Sequence, residues 1–347
     1  VTVEDRRARL ATVVLLTAAA LGPLAWRIGA DRVPEPNAVA SYLPSLEDAR
    51  PRVPFNNNPV VDLRDLQPGI VVIGDSMAGR VNEFLLDARL DVRVAPILRN
   101  ASGPGYWYLA FKNYVIASGS RPALTLVFFR DTNLTDLTFR LLGDYRVMLD
   151  EVAGDLEPEL DAVIARRLAG PFHRAHTLIE RVTGIEDARA RVEPALTAWP
   201  ARVIAGSRGG PRLQEATNAL FTLDRLRPMP LSDMSVVSEN DADFDANVET
   251  SVLPLLLSLA GDHNLRLVFV RTQRRTPDGR PRVDTPALTE YMRDLRAYIE
   301  ARGGVLIDDQ ADPEVAALAY DDLDHIAREA RDGYTELLAR RLLPLLR

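Results

Sequence analysis

From Ile70 onward the chain alternates short, unbroken apolar runs with stretches whose apolar positions recur at helical spacing. Residues 70–74 (IVVIG) form a β-branched run closed by glycine, the pattern of a strand buried on both faces. Residues 92–98 (VRVAPIL), 123–129 (ALTLVFF), 265–270 (LRLVFV) and 305–309 (VLIDD) repeat the type. Between them, residues 81–90, 106–118, 251–264 and 285–303 read as helices, and a last helix is predicted over roughly 326–345. Five strands separated by helices predict an α/β domain of the flavodoxin-like three-layer kind, a parallel five-stranded sheet covered on both faces. Residues 151–240 break the alternation. Rich in Ala, Arg, Glu and Leu and punctuated by Pro and Gly, they read as a helical insertion without an internal repeat.

The amino-terminal pattern is different. Residues 10–26 (LATVVLLTAAALGPLAW) carry no charge and follow Arg6, Arg7 and Arg9. This run is slightly short of the ~20 residues that span a bilayer as a helix. Ile28, Gly29 and Ala30 extend it past Arg27, whose long stem snorkels to the interface. Because the run is apolar on all faces, a membrane helix is preferred to a surface-packed one. The basic cluster before it predicts that the amino terminus stays in the cytoplasm while the rest is exported. No clear small-x-small cleavage site follows, so an uncleaved signal anchor is preferred to a cleaved signal peptide. The expected organisation is a cytoplasmic stub and anchor over 1–30, a Pro/Asn-rich linker over 31–59, and the α/β domain over 60–347 with its insertion at 151–240.

Composition narrows the chemistry. The 347 residues are 47% hydrophobic and 26% charged, ordinary values for a folded chain, and the net charge is −7. That balance gives no support to a nucleic-acid partner, which requires a basic face. Without cysteine there is no thiol catalysis, disulfide or Cys-ligated zinc. The four histidines (His173, His176, His263 and His325) are too few for an all-His metal site, and neither metal nor cofactor is predicted.

Sites in parallel sheets form at the carboxyl ends of the strands. Gly74-Asp75-Ser76 follows the first predicted strand, where a tight turn exposes a hydroxyl and brings backbone N–H groups to the same place. A simple helix cap is the competing reading. Asp322-Leu323-Asp324-His325 precedes the last helix, and an Asp three residues before a His can reach its ring across one turn. That segment also reads as an acidic helix start.

Taken together, Gly74-Asp75-Ser76 and Asp322-x-x-His325 resemble the paired motifs of the SGNH, or GDSL-like, hydrolases, over about residues 70–150 and 250–347. A helix with Gly333 after His325 is similar to the family's tail. The resemblance implies Ser76 as nucleophile, His325 as general base and Asp322 as its orienting carboxylate, with Asp324 a rival for that last role. It also implies oxyanion donors after the second and third strands. Gly105, with Gly103 close behind, answers to the glycine, and Asn133 to the asparagine. Asn133 sits one position later than the family's G-x-N-D motif would put it, and a loop cap is an equal reading.

The implied activity is ester hydrolysis or O-acyl transfer through an acyl-enzyme. With an amino-terminal anchor, the chain resembles proteins that O-acetylate cell-surface polysaccharides. That implies an acylated glycan or other ester as substrate, a multispanning membrane acyltransferase as partner, and work on the periplasmic or cell-surface side. The alternative is a catalytically inactive scaffold or glycan-binding partner of an envelope assembly. A cytoplasmic esterase with a misread amino terminus is a third reading. Tyr106, Trp107 and Tyr108 read as helix core, His173 and His176 as exposed, and His263 as a helix C-cap. Arg130, Arg271 and Gln273 follow strands, and read as substrate contacts or plain surface residues.

Overall fold

The apolar runs become strands β1 (Ile70–Gly74), β2 (Val94–Leu98), β3 (Leu124–Phe129), β4 (Leu267–Arg271) and β5 (Val305–Asp308). They belong to a computed structural model that describes residues 43–46, 53–141, 145–154, 156–168 and 241–347. The strands form one sheet in the order β2-β1-β3-β4-β5, and every pairing is parallel. Of the two compact units into which the chain divides, the one made of Ala40–Leu46, Arg52–Arg167 and Leu231–Arg347 holds every element described here.

Every residue of β1, β3 and β4 is buried. Successive side chains of a strand point to opposite faces, so both faces of the central sheet are covered. β2 and β5 lie at the edges and expose part of their side chains.

Among the described residues the helices are α1 (Asn58–Leu66), α2 (Glu83–Leu90), α3 (Pro104–Ala110), α4 (Arg146–Val152), α5 (Pro158–Arg167), α6 (Phe244–Val248), α7 (Leu253–Asp262), α8 (Pro286–Glu300), α9 (Pro313–Ala316) and α10 (Arg331–Leu342). α3 continues as π-helical turns over Phe111–Ile116, so the single helix expected at 106–118 changes type midway. Several starts follow from local chemistry: Asn82, Asp243, Thr285 and Asp312 each cap the helix after them by accepting a backbone N–H. His263 is the C-cap of α7, as read from the sequence.

One face of the sheet packs Ile70, Val72, Leu126, Phe128, Val268 and Val270 in a single apolar cluster with Leu86 and Leu90 of α2 and Tyr334, Leu338 and Leu342 of α10. This cluster explains how the end of the chain returns to its beginning. β5 lies at the opposite edge from β2, yet α10 comes back beside α2. Asn82 N–H donates to Thr335 Oγ1 at 2.9 Å, its side-chain amide donates to Asp332 at 2.7 Å, and Arg331 donates to Glu83 and to the Val81 carbonyl, both at 2.6 Å.

Two boundaries depart from the sequence reading. α1 begins at Asn58, before the expected end of the linker, and Pro44–Leu46, also within the linker range, forms a 3-10 turn with Leu43 and Leu46 buried. Ser45 N–H of that turn donates to Asp161 of α5 at 2.7 Å. The final helix is shorter than expected because Ile326 is held in an isolated β-bridge with Tyr320, and α-helix starts only at Arg331. The apolar segment 10–26, residues 169–240 of the insertion, and His173 and His176 lie outside the described residues. Among the described residues no helix is long and apolar enough to cross a membrane.

Candidate active site

The turn after β1 owes its shape to Gly74 and Asp75. A Cβ on Gly74 would lie 2.6 Å from the Cβ of Ala78 and 3.2 Å from that of Phe128, so only hydrogen fits where the chain folds back. Asp75 Oδ1 accepts the Met77 N–H at 3.0 Å, and the Asp75 carbonyl accepts the Gly79 N–H at 3.3 Å. This side-chain-stapled turn sets Ser76 at the carboxyl end of the sheet, partly exposed.

Ser76 Oγ lies 2.7 Å from His325 Nε2, although 249 residues separate the two in sequence. Asp322 holds the other side of the ring. Its carboxylate lies 2.9 and 3.0 Å from His325 Nδ1, and its Oδ1 also accepts the backbone N–H groups of Asp324 (2.9 Å) and His325 (2.8 Å). With Nδ1 protonated toward the carboxylate, Nε2 is the acceptor that faces the serine hydroxyl.

Asp324 is also at the ring. Its Oδ1 lies 2.9 Å from Nδ1, while Oδ2 accepts Arg130 Nη1. Asp322 is about half exposed, whereas the Asp324 carboxylate is 4% exposed. Arg130 Nη2 lies 3.9 Å from Asp75 Oδ2, and Arg140 Nη1 donates to the same oxygen at 2.9 Å. Both guanidiniums lie over the Phe139 ring. A continuous chain of charge thus runs from the Ser76 turn to the imidazole.

The electrostatics follow from these contacts. Contact with Asp324 is the strongest influence lifting His325 above its ordinary 6.5, against the opposing effect of burial, and Asp322 adds to the rise. Burial favours the neutral form of Asp324, but His325 and Arg130 outweigh it and hold the carboxyl well below the usual range. Arg140 is pulled below its ordinary value, chiefly by burial.

The three expected oxyanion donors follow β2 and β3, the strands on either side of β1. Gly103 is the N-cap of α3 and is packed so closely that a Cβ would meet the Phe139 carbonyl oxygen at 2.3 Å. Gly105 lies in the first turn of α3, buried toward Leu141 and Leu149. Asn133, partly exposed, closes the turn after β3 through its N–H to the Arg130 carbonyl at 2.8 Å.

Three other residues are placed differently from the sequence reading. Arg130, Arg271 and Gln273 are buried rather than on the surface, and each donates hydrogen bonds inside the protein. Arg271 donates to Asp131 (2.9 Å), Asp284 (2.7 Å) and Asp308 (3.3 Å), and Gln273 donates to the carbonyls of Asp309 and Gln310. Tyr106, Trp107 and Tyr108 are core, as expected.

Asp322, Asp324 and His325 offer three ligand atoms within 4.8 Å of one another. The Arg130 guanidinium already supplies the positive charge there and Nε2 faces Ser76, so we assign no metal to them. A cavity of about 380 Å³ lies elsewhere, lined by α1, β2 and α3 residues with the Arg99–Glu151 ion pair (2.8 Å) on its wall.

No family model, curated protein or solved structure matches the chain. The hydroxyl–imidazole–carboxylate geometry therefore carries the functional argument by itself. A serine held against an imidazole whose far nitrogen is engaged by a carboxylate is equipped for nucleophilic attack on a carbonyl.

Proposed function

We propose that this chain is an SGNH-type serine esterase or O-acyltransferase. The strand order 2-1-3-4-5 is that of flavodoxin-like sheets and supports the fold side of the reading. The observation that carries the chemistry is the 2.7 Å contact between Ser76 Oγ and His325 Nε2, with Asp322 on Nδ1.

In the proposed mechanism His325 takes the hydroxyl proton as Ser76 Oγ attacks the carbonyl carbon of an ester. The negative charge that develops on the carbonyl oxygen is received by N–H donors, for which Gly103, Gly105 and the Asn133 amide are the candidates. Collapse of the tetrahedral species expels the alcohol, which takes the proton from His325 and leaves an acyl-Ser76. Water or a sugar hydroxyl then gives its proton to His325 and attacks the acyl group; the second tetrahedral species breaks its bond to Ser76 Oγ, which takes the proton back from His325 as the acid or new ester leaves. Asp322 keeps the ring in the tautomer that this sequence needs.

The substrate class we propose is acylated cell-envelope polysaccharide, processed on the exported side of the membrane. Residues 10–26 would supply the anchor and a multispanning acyltransferase the acyl groups. The apolar run behind an arginine cluster supports this placement. The rival reading, a non-catalytic scaffold or glycan-binding partner, draws support from the position of the 380 Å³ cavity beside β2, with neither Ser76 nor His325 on its wall.

The test is labelling by a fluorophosphonate probe together with turnover of p-nitrophenyl acetate. Ser76→Ala should lose both, with turnover down about 10³-fold or more. Equal turnover in wild type and Ser76→Ala would remove the proposal. Wild-type silence in both assays, with an envelope partner still retained by Ser76→Ala, would favour the scaffold.

A further inference from the structure

The spacing Asp-x-x-His draws attention to Asp322, but the buried carboxylate at the imidazole belongs to Asp324. The two occupy different positions and make different contacts. Asp322 lies on the solvent side, and it builds the loop by accepting the N–H groups of Asp324 and His325 as well as the ring Nδ1. Asp324 lies on the buried side, one oxygen 2.9 Å from Nδ1 and the other on Arg130. Arg130 comes from the turn after β3 and is shared with Asp75, the residue that staples the Ser76 turn.

We propose that Asp324, held by Arg130, is a second positioning residue of the Ser76–His325 pair: it is the buried counter-charge of the imidazole, whereas Asp322 aims the ring. This deepens the hydrolase reading and rests on it.

Solvent exposure decides between the two carboxylates. A charge about half exposed is screened by water, while one at 4% exposure acts through protein and keeps most of its field. The local charge count leaves room for an imidazolium beside both carboxylates. Asp75, Asp322 and Asp324 supply three negative charges, and Arg130 and Arg140 two positive ones. The remaining negative charge is the one that an imidazolium complements when His325 holds the serine proton.

Other charged groups near the loop are already engaged. Asp321 pairs with Arg80 at 2.9 Å, Arg275 lies over the Tyr320 ring, and Asp309 accepts from Tyr334 and Arg341. Arg80, Asp309, Tyr320, Tyr334 and Asp324 surround one small gap, so these groups face Asp324 from the turn after β1, the end of β5, the segment after α9 and α10.

The experiment is the titration of His325 in the full-length chain labelled with [¹³Cε1]histidine, its signal assigned as the one of four that disappears in His325→Gln. Asp324→Asn and Asp322→Asn are compared with wild type. Both should lower the midpoint, and Asp324→Asn should lower it further. Arg130→Met, which removes a positive charge, should raise it; if that variant fails to fold, the two Asn variants decide alone. The acidic limb of kcat/KM for p-nitrophenyl acetate should move with the titration, a response that mere loosening of the loop would not give. A larger shift in Asp322→Asn, or none in Asp324→Asn, overturns the inference. If wild type turns over no ester, the hydrolase reading fails while the titration still decides which carboxylate governs the ring.

Discussion

Replacing Gly74 with alanine adds one methyl group where the turn after β1 has no room for it. The added carbon would sit 2.6 Å from Ala78 Cβ and 3.2 Å from Phe128 Cβ. Neither neighbour is a flexible side-chain end. Ala78 Cβ is fixed to the 3-10 turn Ala78–Arg80, and Phe128 belongs to a strand buried throughout. Relief therefore requires backbone movement, and overpacking of this kind costs about 1–3 kcal/mol. Loss of glycine's freedom in the unfolded chain returns about 0.4–1 kcal/mol, which leaves a net destabilisation of roughly 1–2 kcal/mol. Urea unfolding of Gly74→Ala, Ala78→Gly and the double variant measures it. Because the closest contact is with the Ala78 methyl, removing that methyl should relieve most of the clash. The double variant should be more stable than the sum of the two single losses predicts, with a coupling of about 1 kcal/mol or more. Ester turnover should fall in Gly74→Ala beyond the loss of folded protein, because Ser76 is two residues along the displaced turn. Wild-type stability in Gly74→Ala, or strict additivity in the cycle, refutes the reasoning.

Other outcomes follow from the buried charges and from the proposed base. Arg271→Met should cost about 3–5 kcal/mol in urea unfolding, toward the lower end because Asp131 keeps Arg274 and Arg282 as partners while Asp284 and Asp308 lose this one. Burial favours neutral Asp131, but the guanidiniums of Arg271, Arg282 and Arg274 bring it down to about 2; its stabilisation is therefore complete above the unfolded value of 3.8 and should be lost as pH falls toward 2, a loss that Asp131→Asn should abolish. Asp309 has the opposite sign: burial pushes it up to about 6 despite Arg341 and Tyr334, so the folded state retains a proton that the unfolded state releases near 3.8, and the stability gained should decline as pH rises from about 4 to 6, a slope that Asp309→Asn should flatten in unfolding midpoints. Since His325 must be neutral to accept the serine proton and lies above its ordinary 6.5, kcat/KM should climb with pH through a midpoint above that value, and a profile already flat at pH 6 would contradict the assignment.

What could be read from the sequence, and what could not, divides along physical lines. Strands buried on both faces leave an unbroken apolar run, which makes β1, β3 and β4 legible, and the edge strands β2 and β5 keep enough apolar residues that all five starts fall within two residues of the sequence reading. That Ser76 and His325 meet was legible because the strand-end rule restricts where the functional side chains of a parallel sheet gather. α1 was missed because NPVVDLRDL buries only Val60 and Leu63, too few apolar positions to stand out from a Pro/Asn-rich stretch. The burial of Arg130, Arg271 and Gln273 is not legible in the sequence because arginine and glutamine are mostly exposed. Their burial depends on partners such as Asp324, Asp131 and Asp284, distant in sequence, and local pattern does not encode such pairings. The same blindness applies to Asp324: sequence placed it beside His325 but could not show which carboxylate water would reach.

The position of those buried ion pairs is itself informative. Sheet hydrogen bonding ends near Gly74, Phe129, Arg271 and Asp308, and beyond these points the backbone ladder no longer fixes one loop against the next. The ion clusters begin there. Asp75, Arg140, Arg130 and Asp324 tie the β1 turn and the segment after β3 to the His325 loop. Asp131, Arg271, Arg274, Arg282 and Asp284 tie the β3 turn to the segment after β4, and Arg271 extends the tie to Asp308 of β5. Asp309, Tyr334 and Arg341 tie the end of β5 to α10. Such clusters add little net stability compared with apolar packing of the same volume, so stability alone is a weak reason for so many of them. Their directional bonds do hold loops from different strands in a fixed relation. A hydroxyl and an imidazole 249 residues apart must stay within about 0.5 Å of their working geometry to exchange a proton. Among the described residues the charged rim takes over from the sheet where the sheet ends, and the Ser76–His325 contact lies on that rim.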